Sequence, residues 1–152
     1  MPLRFKPFSH PLYTTLRPYI RILATTINTI LISHIFLKHY YTIQPTWGAS
    51  MLPTLSAYGD HVLISQHHRR GRDIRVGDVV CFSSVVESGE RVIKRVIGLQ
   101  GDFVSSSGMM LQVPKGHCWV EGDNLAYSRD SRHFGPMPLA LITGKVVAKV
   151  FP

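Results

Sequence analysis

At 152 residues the chain has room for one domain with a core large enough to fold without covalent staples, and little room for a second catalytic domain. Lys and Arg number 17 against 9 Asp and Glu, a net charge of +8, yet no carboxylate precedes Asp60, so most of the excess is carried by Arg4, Lys6, Arg17, Arg21 and Lys38. Two cysteines without a CxxC and eight histidines without HExxH or zinc-knuckle spacing give no support to a metal site, and no cofactor is expected.

In chain order, residues 1–18 read as a basic N-terminal segment, acid-free and bearing Arg, Ser and Thr as mitochondrial targeting segments do. The run YIRILATTINTILISHIFL (19–37) holds one charge, Arg21, and with Lys38 defines a transmembrane anchor over 19–38. A bilayer core of about 30 Å needs roughly 20 helical residues. The threonines and Asn28 also permit an amphipathic helix buried in a protein. No A-x-A-like site follows the run, which argues against a cleaved signal peptide. Positive flanks precede the span, so the N-terminus is expected on the positive-inside face and the rest across the membrane.

From residue 39 to 152 the pattern changes to short β-branched runs divided by turn residues. HVLIS (61–65), DVVCFSS (78–84), ERVIKRVIGL (90–99), DFVSS (102–106), MMLQV (109–113), HCWVEG (117–122) and KVVAKVF (145–151) read as strands. Many short strands separated by turns predict a compact all-β, antiparallel domain, sandwich- or barrel-like. Cys81 and Cys118 fall in two of them, as buried thiols or as one disulfide in an oxidising compartment.

Two nucleophile systems are open. For a Ser-His-Asp triad, His61 follows Asp60 directly in a strand, where neighbouring side chains point to opposite faces; His133 remains a candidate. For a serine with a lysine base, the amine's pKa must fall from about 10.4 toward the working pH, which burial among apolar groups achieves. In RVIKRVI a two-residue period places Val92, Lys94 and Val96 on one face, so Lys94 sits between branched hydrocarbons, whereas Lys115 and Lys145 lie beside turn residues. In GASMLPTL, Gly48 and Ala49 allow close approach of a substrate to Ser50 and Pro53 stiffens the loop, while Met51 suits either the core or lipid. The basic run RRGRDIR (69–75) lies in a loop without stacking aromatics, which argues against nucleic acid and reads as solvated surface or a face toward anionic lipid.

PTWGASMLPTL, GDHVLI, RVGDVVCF, VIKRVIGLQGD and GDNLAYSRDSRHFGPMP stand in the order found in the type I signal peptidase family, membrane-anchored serine proteases with a Ser–Lys dyad. The resemblance covers about residues 43–152, and its closing run is most similar to the mitochondrial inner-membrane branch. It implies Ser50 as nucleophile and Lys94 as general base, with Ser128 orienting the lysine amine. Asp130 and Arg132 match a supporting pair, and Gly122, Asp123 and Asn124 an adjoining loop. Gly48, Ala49, Met51 and Pro53 would then lie next to the substrate. Gly48 stands where some relatives place a hydroxyl for the oxyanion, and the extra β domain of bacterial relatives is absent between Gly98 and Asn124. The resemblance further implies removal of sorting presequences in the mitochondrial inner membrane, the catalytic domain facing the intermembrane space, and pairing with a homologous second peptidase subunit. A bacterial-type or other organellar secretory peptidase, or a non-catalytic anchored partner subunit, are the competing readings.

Overall fold

The computed structural model describes residues 11–151 apart from Ser88 and Ser107; the first ten residues, with Arg4 and Lys6 of the basic segment, lie outside that range. The chain divides after Lys38 into two units. The first is dominated by helix α1, Pro11–Tyr40. It contains the 19–38 segment read as the anchor and starts ahead of it, with Pro18 accommodated inside the helix. Within it, Leu16–Tyr40 has a mean hydropathy of 1.6 and is fully exposed, long and apolar enough to cross a bilayer. Three of its threonines find partners inside the helix. Thr25 and Thr26 donate to the Ile22 carbonyl and Thr29 to that of Thr25, so these hydroxyls are satisfied within the helix.

The second unit contains strands β1 (Tyr41–Trp47), β2 (Tyr58–Ser65), β3 (Val79–Ser83), β4 (Arg91–Leu99), β5 (Phe103–Ser106), β6 (Met109–Gln112), β7 (His117–Glu121), β8 (Met137–Pro138) and β9 (Ile142–Phe151), with a one-turn helix α2 (Ser131–Phe134). Seven strands form an antiparallel sheet in the order β1-β2-β9-β3-β4-β7-β8, and β5-β6 is a separate hairpin. The seven strands anticipated from the sequence are all present. Two were not anticipated: β1, whose Pro45 argues against a strand but is tolerated because β1 is an edge, and β8, too short to carry a pattern.

Register shifts in the β1-β2, β2-β9, β3-β9 and β4-β7 pairs mark bulges, which bend strands and raise their twist. The sheet is therefore barrel-like but open, with apolar clusters on both faces. Val80, Phe82, Val96, Val120, Met137 and Ile142 pack on one; Met51, Leu55, Val62, Ile64 and Cys81 on the other. Alternation along β3 explains the split, since Val80 and Phe82 point one way and Cys81 the other. Gly98 permits the hairpin to pack against β4, because a Cβ there would sit 2.7 Å from Val104. Cys81 and Cys118 are free, buried thiols, and burial pushes Cys118 up to about 12.

Candidate active site

The loop after β1 is held at both ends and raises Ser50 between them. Gly48 takes φ +105°, a region that favours glycine, and its N–H donates to the Ala57 carbonyl at 2.8 Å. A 3-10 turn, Ala49–Met51, follows. Met51 and Leu55 are both buried in the apolar cluster, and the Leu55 N–H donates to the Met51 carbonyl at 2.9 Å. Met51 is thus a core anchor and not a lipid contact. The Leu52–Pro53 peptide is cis and Pro53 is exposed.

Lys94 projects from the middle of β4 and is only 3% exposed. Its Nζ lies 2.6 Å from Ser50 Oγ. Burial drives the Lys94 pKa below its ordinary value, opposed by the charges of Asp130 and Asp123. No carboxylate forms an ion pair with it among the described residues. The neighbouring cation is treated in the opposite way. Arg95 grips Asp123 through two bonds, Nε to Oδ1 at 2.8 Å and Nη2 to Oδ2 at 2.7 Å, and donates from Nη1 to the Gly77 carbonyl at 2.8 Å. Its bond with Asp123 raises Arg95 and lowers Asp123. Thr54 Oγ1 also donates to Asp123 Oδ2, tying the serine loop to the same carboxylate. Arg95 and Thr54 were not among the residues read from the sequence. Arg95 follows Lys94 directly, but nothing local says which carboxylate it meets.

The segment after β7 closes over Ser50 from the other side. Asn124 donates from its backbone N–H to the Ser50 carbonyl and from Nδ2 to the Ala49 carbonyl, each at 3.0 Å. Gly122 is buried where a Cβ would collide with Ser128 Oγ and lie 2.5 Å from the Ser50 carbonyl oxygen, so a side chain there would displace the serine loop. Its N–H donates to Asp130 Oδ2 at 3.0 Å. Asp130 is fully buried, and Arg132 meets it with Nε and Nη2, both at 2.9 Å. Burial alone would raise the Asp130 pKa; Arg132 and the Gly122 N–H outweigh it and hold the carboxyl at about 2.

Ser128 is buried beside Gly122, and its hydroxyl lies close enough to the Asp130 carboxyl to help hold it down without completing a well-aligned hydrogen bond. His133 Nδ1 lies 3.9 Å from Asp130, but the ring is exposed, and the hydrogen bond that reaches Ser50 Oγ comes from Lys94. Asp60 is committed elsewhere, to the Ser56 N–H at 2.7 Å and Lys149 at 2.8 Å. The residues expected together from the sequence are therefore assembled from three distant segments, with Lys94, Asn124 and Gly122 each against Ser50.

Ser50 opens onto a cleft of about 550 Å³. One wall is the edge strand from Gln44 to Trp47, the other runs from Gly89 to Ile93, and Met51 and Cys81 lie beneath. Lys94 lines a second, smaller cavity of about 180 Å³ with Phe82, Val92, Arg129 and Phe134. No group of His, Cys, Asp and Glu able to hold a metal occurs among the described residues. A serine hydroxyl bonded to a sequestered amine at the floor of an open groove is an arrangement suited to nucleophilic hydrolysis of an extended chain.

The chain matches the family model for signal peptidase, peptidase S26, over residues 16–113 and 105–151. Mitochondrial inner membrane protease subunit 1 of Schizosaccharomyces pombe is 39% identical over 137 residues, covering 87% of each chain. Mitochondrial ATP-independent inner membrane protease subunit 1a of Arabidopsis thaliana is 42% identical over 129 residues, 78% of this chain and 76% of that one. Mitochondrial inner membrane protease subunit 2 of Danio rerio is 38% identical over 112 residues, 69% of this chain and 61% of that one. The chain belongs to the signal peptidase family S26 and is a serine peptidase.

Proposed function

We propose that this chain is a catalytic subunit of a mitochondrial inner membrane peptidase that removes sorting presequences with a Ser50–Lys94 dyad. The observation that carries the reading is the 2.6 Å approach of Lys94 Nζ to Ser50 Oγ, with Lys94 buried and its pKa lowered. Neutral Lys94 takes the proton of Ser50 as its oxygen attacks the scissile carbonyl. The ammonium then gives that proton to the departing amine. A water deprotonated by Lys94 hydrolyses the acyl-enzyme and regenerates both groups. Ser128, buried beside Gly122 and next to the Asp130 carboxyl, orients the amine once Lys94 leaves Ser50. The Ser50 N–H is one oxyanion donor; the Gly48 N–H is already given to Ala57, so the second comes from elsewhere.

The substrate lies extended along the cleft beside the free edge of β1. The α1 span holds the domain at the membrane, with the catalytic side facing the intermembrane space and a homologous second subunit as partner. Relatives named as subunits 1 and 2 support that pairing. Ser50→Ala and Lys94→Met, each assayed on a membrane-tethered presequence substrate, test the dyad. Both should lose at least about 10³-fold in kcat, the scale of an activated nucleophile or its base; near-full activity in either would refute it.

A further inference from the structure

Eight of the twelve cations of the β domain make a contrast; of the others, Lys94 meets Ser50, and Arg91, Lys115 and Arg129 are exposed and scattered singly over the chain. Arg95, Arg132, Lys145 and Lys149 each hold a carboxylate, at 2.7–2.9 Å. Arg69, Arg70, Arg72 and Arg75, all in the loop between β2 and β3, are exposed and make no side-chain hydrogen bond or ion pair among the described residues. The two carboxylates of that loop go elsewhere: Asp73 meets His67 at 3.6 Å, and Asp78 pairs with Lys145 at 2.7 Å and accepts from the Arg75 backbone N–H. Four guanidinium groups on one short loop would normally repel each other and favour an extended, mobile segment. Here the loop is pinned. Ile74 is buried in the core, and Gly71 seats so closely on Leu139 that a Cβ there would lie 2.8 Å from it. Arg70 and Asp73 take positive φ, +58° and +51°, a conformation with a cost for residues other than glycine that the anchored ends impose.

The position of the loop is set by strand pairing. Ser65, the last residue of β2, pairs with Tyr41, the first of β1, and Gln66 donates to Thr42. From Lys38, at the end of the first unit, to Tyr41 is three residues, at most about 11 Å of chain. The loop therefore starts from a strand end paired with the residue that follows the apolar helix directly in the chain.

We propose that residues 66–75 form a binding site for the phosphates of anionic phospholipids at the membrane surface from which the β domain emerges. Guanidinium groups match phosphate oxygens with paired N–H donors, and the tether keeps the loop at high effective concentration near the headgroups. The inference rests on α1 crossing a bilayer and is independent of the dyad, so loss of peptidase activity would leave it standing.

The test uses the full chain in nanodiscs of phosphatidylcholine alone or doped with phosphatidylglycerol, reading amide hydrogen exchange over 66–76. Phosphatidylglycerol should slow exchange in the loop, and high salt should reverse the effect. The joint variant Arg69→Gln, Arg70→Gln, Arg72→Gln, Arg75→Gln should abolish it, whereas the four Arg→Lys changes should preserve part of it. Removing a single arginine should raise the phosphatidylglycerol fraction giving half-protection by up to about fivefold. Unchanged exchange in β2 and β9 reports that a variant is folded, and the salt series on the unmodified chain stands without any variant. Equal exchange in both lipids would overturn the proposal, as would protection by soluble polyglutamate in phosphatidylcholine discs but not by phosphatidylglycerol, which would make the loop a site for an acidic protein segment.

Discussion

Successive residues of β4 carry their charges into opposite surroundings. Lys94 enters an apolar interior, where its one hydrogen bond among the described residues is to a neutral hydroxyl and burial lowers its pKa against the pull of Asp130 and Asp123. Arg95 meets a carboxylate through a paired bond, and its pKa rises. The first arrangement costs stability, because an ammonium there loses its hydration without gaining a counter-ion. The second recovers stability and positions what the first needs, since Asp123 also takes the Thr54 hydroxyl and its neighbour Asn124 holds the Ser50 carbonyl. A strained amine and its scaffold thus sit one residue apart, on a strand whose alternation separates them.

Lys94→Met breaks the contrast most sharply. Beyond losing at least about 10³-fold in kcat, it should leave the thermal midpoint no lower than that of the unmodified chain, because a buried ionisable group is replaced by an apolar one of similar length. A clear fall in the midpoint would mean that Lys94 is stabilising as it stands. Gly122→Ala should come next. Its Cβ would push against Ser128 and the Ser50 carbonyl, and a displacement of the nucleophile by about 1 Å costs about 10²-fold. Full activity in steady-state turnover would mean that the loop can shift freely.

Arg95→Met should act the other way from Lys94→Met, lowering stability by about 2 kcal/mol by leaving Asp123 half-sheltered without its partner, with a smaller fall in activity. Chemical denaturation measures the first and turnover the second. Equal stability would show that solvent replaces the arginine. Smallest is an acid effect. The Asp130 carboxyl, near 2 in the folded chain and 3.8 in the unfolded, stabilises fully above about pH 4 and loses that contribution as pH falls through about 2. Asp130→Asn should flatten the acid limb of a stability–pH curve over that window, leaving the part due to Asp60 and Asp123.

Much of this was legible in the sequence, for identifiable reasons. The seven strands repeat every two residues between turn residues, and that same period put Lys94 among valines. Ser50 was a different case: its local chemistry also suits a turn, and only the ordered motifs of a family singled it out. The edge strand β1 was hidden by Pro45, and the helical turns before residue 19 fall in a segment legible only for its charge. The Arg95–Asp123–Thr54 network could not be read at all. It joins three segments that meet only when β4, the serine loop and the residues after β7 are stacked, and no local spacing encodes which carboxylate faces which cation.

The central claim, that burial makes Lys94 a base, is tested most directly by the pH dependence of kcat/KM for cleavage of a membrane-tethered presequence. The rate should rise as Lys94 loses its proton, with a midpoint clearly below the ordinary lysine value of 10.5. A rise centred at 10.5, or residual Lys94→Met activity that keeps the same midpoint, would contradict it.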